Sequence, residues 1–290
     1  METPSNEAVL YNQIIEATRV DAGLTIKSVD IPDFKIVYAE GGTGDTIILL
    51  HGFGGNKDIW LSFAKLFTPN YRVIIPDLPG FGDSSKPQDK NYSHMSQVER
   101  LNVFAEELKL TKFHLVGNSM GGGIAGNYAA TYPDMVNTLA LFDNAGVNAP
   151  IKSELFLLLE KGINPFFIKD VNDYDKLWEF LFYKPPQLPS FMKQYMAEQA
   201  IEAAPINIKI GVDQLADIFI LESKLDKITA PTLIVWGDSD RVHHISAVPI
   251  YERNIKNSKS VIIKECGHVP MMEKPAETAA IYQDFLKGKN

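Results

Sequence analysis

Two rhythms of apolar and polar residues divide this chain. In the first, short apolar runs alternate with longer amphipathic ones. Leu10, Ile14, Ile15 and Ala17 recur at helical spacing and predict an N-terminal helix or arm reaching about Gly23. Thr25 to Ile31 and Phe34 to Ala39 alternate around Pro32-Asp33, which predicts an antiparallel hairpin. Thr46 to Leu50 is an apolar run, the mark of a strand buried on both faces. Helix Ile59 to Phe67, strand Arg72 to Pro76, helix Ser93 to Leu108, strand Phe113 to Gly117, helix Gly121 to Tyr132 and strand Thr138 to Asp143 carry the alternation on. It resumes late in the chain with strand Pro231 to Trp236, a helix near Val248 to Asn254, strand Ser260 to Lys264 and a closing helix Ala276 to Leu286. Buried strands alternating with helices predict an α/β protein with a mainly parallel central sheet covered on both faces.

The second rhythm is helical only. Ser153 to Lys161, Tyr174 to Phe182, Ser190 to Ala203 and Gly211 to Leu221 repeat apolar residues at helical spacing, with prolines at 150, 165, 185, 186, 189 and 205 between them. The chain is thereby divided into a core of residues 1–148 and 226–290 and an inserted helical cap, or lid, of residues 149–225. The insert is dense in aromatics. Phe166-Phe167 and Phe182-Tyr183 are sequence neighbours, so they cannot all face one core, and some are predicted to face a site or solvent.

Composition narrows the class. The chain has 290 residues, 45% of them hydrophobic and 22% charged, as in a globular protein with room for a full core. A formal charge of -8 without long single-sign runs argues against nucleic acid as a partner. The one cysteine, Cys266, excludes an internal disulfide. No stretch is long and apolar enough to span a membrane, and no signal-like apolar core follows the polar start Met1 to Asn6. The sequence as it stands therefore predicts a cytoplasmic protein, the alternative being an exported or periplasmic one from which a signal segment was removed.

Candidate chemistry centres on Gly117-Asn118-Ser119-Met120-Gly121, where a buried strand must turn sharply into a helix. Glycines flank Ser119 because a Cβ would clash in so tight a turn, and the turn holds the hydroxyl at a helix N-terminus, where N–H groups favour a developing anion. A serine alcohol needs a base, and the base needs an orienting group. Of the six histidines, His268 follows the last strand in Gly267-His268-Val269-Pro270, on the same sheet edge as Ser119. His114 lies inside a strand and is read as structural; His243 and His244 are placed near the mouth of the site without a role. Two acids stand at strand ends. Asp240, beyond the turn Gly237 to Ser239, is favoured to orient His268, Asp143 is the runner-up, and Asp238 is read as bonding within the turn. Oxyanion donors are assigned to the backbone N–H groups of Met120 and Phe53, the latter in the loop His51-Gly52-Phe53-Gly54, whose glycines allow close approach. His51 is read as a structural hydrogen-bonding residue of that supporting loop. Zinc, dinucleotide and phosphate-loop motifs are absent, so no cofactor and no metal is predicted.

Together, His51-Gly52-Phe53-Gly54, Asp77-Leu78-Pro79-Gly80-Phe81-Gly82, Gly117 to Gly121, Trp236 to Asp240 and Gly267-His268 resemble the α/β-hydrolase fold family over essentially the whole chain. Within it, Asn118 to Gly122, Lys184-Pro185-Pro186-Gln187-Leu188-Pro189 and Gly267 to Pro275 are similar to bacterial lipases of the Moraxella/Psychrobacter type and to monoacylglycerol lipases. The resemblance implies hydrolysis of acyl-lipid esters, mono- or triacylglycerols among them, through an acyl-enzyme on Ser119, and it supports Asp240 over Asp143. The implied partner is a small acyl ester or lipid, with transient contact to a lipid surface. The alternative is carbon–carbon hydrolysis of ring-fission products on the same triad. Those enzymes usually show a Gly-Gly-Gly-Pro-Gly oxyanion loop and a tryptophan soon after the histidine, where this chain has Gly52-Phe53-Gly54-Gly55 and Val269-Pro270.

Overall fold

A computed structural model describes residues 5–288; the first four residues of the polar start Met1 to Asn6 lie outside that range. Helix α1 (Asn6–Asp21) leads into the hairpin β1 (Leu24–Ile31) and β2 (Phe34–Gly41). The core then runs β3 (Thr46–Leu50), a 3-10 turn Lys57–Trp60, α2 (Leu61–Ala64), β4 (Arg72–Pro76), α3 (His94–Glu107), β5 (Phe113–Asn118), α4 (Met120–Thr131) and β6 (Val136–Phe142). The helices α5 (Glu154–Leu159), α6 (Val171–Leu181), α7 (Ser190–Glu202) and α8 (Ala204–Leu215) come next. The chain closes with β7 (Thr232–Gly237), α9 (Val248–Asn254), β8 (Ser258–Ile263), α10 (Pro270–Glu273) and α11 (Pro275–Leu286).

The eight strands form one sheet in the order β1-β2-β4-β3-β5-β6-β7-β8. β1 and β2 are antiparallel to their neighbours, and β3 to β8 are parallel. Alternate residues of each strand feed the two faces. Ile48, Leu50, Leu115, Leu139 and Ile234 pack under α3, α4 and α9, while Ile47, Leu49, Val116, Ala140 and Val235 pack under α2 and α11. The parallel register sets Leu50 level with Gly117, Asn118 with Phe142, and Gly237 with Ile263. The C-terminal ends of β3, β5, β6, β7 and β8 therefore share one edge, where loops can converge.

Two predicted helices differ from the structure. The segment expected as one helix from Ile59 to Phe67 is a 3-10 turn followed by one α-turn. Asn56 caps the turn through its side chain, and the buried Lys57 is tied to Asp77, so tertiary contacts override the helical pattern. The helix expected at Gly211 to Leu221 starts earlier, at Ala204, because Pro205 occupies its first turn, where a missing N–H costs nothing. It also stops earlier: Asp217 accepts the backbone N–H groups of His94 and Met95 at 3.0 Å each and so caps α3. The helices between β6 and β7 form one small cluster of their own, Leu155 and Phe180 packed with Val242, and otherwise share the packing of the core. Tyr174, Trp178 and Phe182 join one face of the sheet's packing, and Ile206 and Ile210 join the other.

Candidate active site

The turn between β5 and α4 is under backbone strain. Ser119 has φ +55°, a region that an L-residue holds only when its surroundings enforce it. Here they do. Its N–H donates to the Phe142 carbonyl at 3.0 Å, and its own carbonyl accepts from Gly123 and Ala145, also at 3.0 Å. A Cβ on Gly117 would stand 2.2 Å from the Gly121 carbonyl oxygen, and one on Gly121 would stand 2.5 Å from that of His51. No side chain fits at either place.

The β3 loop lies against this turn. Gly55 N–H closes on the Gly52 carbonyl at 3.1 Å with Gly54 at φ +70°, a type II turn whose third residue must be glycine. Phe53 is the second residue of the turn, and its N–H takes no part in that closing bond. A Cβ on Gly52 would sit 3.1 Å from the Ser119 Cβ, so this backbone touches the serine. Met120 is the first residue of α4 and has no intrahelical acceptor for its N–H. His51 is engaged at both ring nitrogens: Nε2 accepts from the Leu78 N–H at 3.0 Å, so Nδ1 carries the hydrogen and donates to the Gly52 carbonyl at 2.8 Å. Complete burial pushes its imidazole below the usual range. The ring pins the loop and offers no free nitrogen.

His268 and Asp240 meet on the same edge. His268 Nδ1 lies 3.0 Å from Asp240 Oδ2, and the two side chains are 3% and 0% exposed. Asp240 Oδ1 accepts the N–H groups of Val242 and His243 at 2.7 and 3.1 Å. Burial alone would raise this carboxyl, but His268 and the N–H donors outweigh it and hold Asp240 below the usual carboxylate range. With Asp240 ionised, Nδ1 of His268 must carry the hydrogen, which leaves Nε2 as the acceptor. Asp143 is also at hand, with one of its oxygens, one of Asp240 and a ring nitrogen of His268 within 4.8 Å of one another. Its Oδ1 accepts the Gly237 N–H at 2.8 Å, while Oδ2 is buried without a partner. Burial and the adjacent Asp240 charge push Asp143 well above its usual carboxylate range. Asp238 turns to Ser239 Oγ at 2.9 Å.

The remaining histidines separate by contact. His114 faces Thr138 Oγ1 at 2.8 Å inside the sheet, and His244 Nδ1 accepts the Ser246 N–H. The His243 ring stands 5.3 Å from that of His268. Burial and the neighbouring imidazole push His243 down to about 4. An unfolded chain takes up that proton near pH 6.5, so the unfolded state binds more protons between the two values. The contribution is intact above about pH 6.5 and is lost as pH falls toward about 4. His243→Phe is expected to flatten the decline of Tm between pH 6.5 and 4.5 relative to wild type; equal slopes would remove His243 as the cause.

Ser119 and His268 open on one cavity of about 820 Å³. Phe53, Phe81, Trp178, Met196 and Ile206 give it apolar walls. Sequence reasoning missed three contributors. Asn118 donates from Nδ2 to the carbonyls of Phe142 (3.1 Å) and His268 (2.9 Å), a link that spans 150 residues and leaves no local pattern. The arm α1 supplies Tyr11, Ile15 and Arg19 to the cavity wall, held by an Arg19–Asp58 pair bonded at 2.8 and 2.7 Å. Lys57, buried under that wall, bonds Asp77 and Asp83.

A serine at a strained strand-to-helix turn and a buried Asp–His pair at the same sheet edge are the arrangement of a serine hydrolase of the α/β type. The chain belongs to the alpha/beta hydrolase fold family, whose sequence pattern matches residues 45–275. Lipase 1 of Psychrobacter immobilis is 38% identical over 280 residues, 94% of this chain and 87% of that protein. A monoacylglycerol lipase (abhd6-B) of Xenopus laevis is 32% identical over 282 residues, 91% of this chain and 82% of that one. The crystal structure of a membrane phospholipase A described as a bacterial virulence factor superposes with a TM-score of 0.96 at 45% identity, covering 97% of this chain and 92% of that chain. A serine hydrolase of carbazole degradation aligns at TM-score 0.78 and 24% identity, covering 91% and 99% of the two chains, a likeness of fold alone.

Proposed function

We propose that this protein is a serine carboxylic-ester hydrolase acting on acyl lipids, with Ser119 as nucleophile, His268 as general base and Asp240 as its orienting acid. The observation that carries this reading is the joint opening of Ser119 and His268, the latter bonded to the buried Asp240, onto one large, mainly apolar cavity. Ser119 Oγ attacks the ester carbonyl as His268 Nε2 takes its proton. The N–H groups of Phe53 and Met120 stabilise the oxyanion, and losing one such donor typically costs about a hundred- to a thousandfold in rate. His268 then protonates the leaving alcohol and the acyl group stays on Ser119. A water, deprotonated by His268, attacks the acyl carbonyl; the fatty acid leaves and the proton returns to Ser119. p-Nitrophenyl esters of graded chain length test the reading: turnover is expected, and inertness at every length would overturn it. The carbon–carbon reading predicts instead fast turnover of vinylogous diketones and weak activity on simple esters.

The helices of residues 149–225 serve in this reading as the cap that closes the acyl site. Their surface supports contact with lipid. Ile208, Val212 and Leu215 follow one another at i, i+4 and i+7 along α8 and are 43%, 62% and 62% exposed, while Pro205 and Ile206 in the first turn of the same helix line the cavity. No helix among the described residues is long and apolar enough to cross a membrane, so contact made by this stripe is superficial. The double variant Val212→Asp/Leu215→Asp is expected to lose about tenfold on emulsified long-chain esters while keeping its rate on a soluble butyrate. Equal effects on both substrates would remove the stripe from lipid contact.

A further inference from the structure

Resting on the assignment of His268 as the base, the main chain around it poses a separate question. A general base must hold its ring to within a fraction of an ångström of the nucleophile, yet His268 sits in an irregular loop between β8 and α10. The loop is held from three directions. The His268 N–H donates at 2.7 Å to the carbonyl of Leu181, the last residue of cap helix α6. The His268 carbonyl accepts from Asn118. One residue earlier, the Gly267 N–H donates at 2.7 Å to Oε2 of Glu273, the last residue of α10.

Glu273 does more than close its own loop. Its carboxylate also accepts the N–H groups of Tyr183 at 3.2 Å and Lys184 at 2.6 Å, in the strap that leaves α6. Three backbone donors from two separate chain segments converge on one side chain. That is an arrangement only an anion satisfies fully, because each donor needs a lone pair and the carboxylate offers about four. The fit is close: a Cβ on Gly267 would lie 2.5 Å from the Leu181 carbonyl and 2.8 Å from the Tyr183 nitrogen. Pro185 and Pro186 follow at once and lack N–H groups, so Tyr183 and Lys184 are the strap's last donors before the prolines.

We propose that Glu273 is a positioning residue that locks the His268 loop to the strap after α6, so that the base is correctly placed only while this end of the cap is seated. Opening the cap as one rigid lid would break the Leu181, Tyr183 and Lys184 bonds together and move His268. Substrate entry that keeps the base in place must therefore leave those bonds intact.

The test uses the full chain and soluble p-nitrophenyl butyrate, with active sites counted by the end point of serine-directed phosphonate labelling. Glu273→Gln keeps the shape but turns an NH₂ toward N–H donors. It is expected to lower kcat per site by about ten- to a hundredfold with KM within about twofold, and to slow labelling of Ser119 by the same factor. Glu273→Asp, which keeps the anion, is expected to recover most of that loss. Lys184→Pro, at an exposed residue, removes the shorter of the strap's two donated N–H bonds and is expected to lower kcat several-fold. A wild-type kcat per labelled site in Glu273→Gln overturns the positioning role, as does a loss that only follows the fraction of folded protein. A wild-type kcat in Lys184→Pro beside a low one in Glu273→Gln overturns the link to the cap. Ser119→Ala run in parallel separates these outcomes from failure of the hydrolase assignment itself, since only the latter leaves ester turnover intact without that serine.

Discussion

Ser119→Ala is expected to lower kcat on a p-nitrophenyl ester by about a million-fold, the size of loss seen when a triad nucleophile is removed, or about 8 kcal/mol of transition-state stabilisation. The variant should still fold. The elbow's backbone bonds to Phe142, Gly123 and Ala145 run through main-chain atoms that alanine keeps, and the small side chain fits where serine did. The left-handed φ of +55° is no harder for alanine than for serine by more than a small fraction of that sum. Substrate binding should survive, because the walls from Phe53, Phe81 and Trp178 are untouched. A residual rate about a thousandfold above water is expected from the Phe53 and Met120 donors alone. The measurement is kcat with an unchanged thermal midpoint. Activity within tenfold of wild type would remove Ser119 as the nucleophile.

Asp240→Asn carries the second largest expected loss, about ten-thousandfold in kcat. The asparagine retains an oxygen for the Val242 and His243 N–H groups, but it faces His268 with an NH₂ where the aspartate accepted. The imidazole must then put its hydrogen on Nε2, the nitrogen that should take the serine's proton. Asp143→Asn makes the opposite case. Asp143 is held well above its usual range beside Asp240, and an amide keeps an oxygen for the Gly237 N–H while placing hydrogens rather than a second charge toward Asp240. That variant is expected to stay within about tenfold of wild type. Measured side by side, the ranking decides between the two acids: a larger loss from Asp143→Asn would transfer the orienting role to it.

The difference between these acids also shows where sequence reasoning reached its limit. Both stand just past a strand end, and chain position alone left Asp143 as a rival. What separates them is that His268 Nδ1 lies 3.0 Å from Asp240, while Asp143 lies behind that contact with one oxygen unpartnered. The strained turn at Ser119 and the close approach of the Gly52–Gly55 loop were legible because each sits in a local pattern that glycines make possible. Asn118 and Glu273 were quoted within such patterns without a role, since the groups they bind come from elsewhere in the chain. The arm α1 was legible as a helix, but nothing in its spacing said that Tyr11 and Arg19 would wall a cavity. Where a predicted helix failed, at Ile59 to Phe67, a buried Lys57–Asp77 bond had priority over periodicity.

By itself, then, the sequence determined the strand order, the mainly parallel sheet, the helical stretch between β6 and β7 and the residue types at the turn around Ser119. Apolar periodicity and glycine requirements are local, and they act before any tertiary contact forms. Only the tertiary structure decided which acid faces His268, how the histidine loop is tied through Glu273 to the residues after α6, and which distant side chains enclose the cavity. Those outcomes depend on hydrogen bonds and packing between separate segments, 28 residues apart for Asp240 and His268 and 90 for Tyr183 and Glu273, and such pairs have no fixed spacing for a sequence to display.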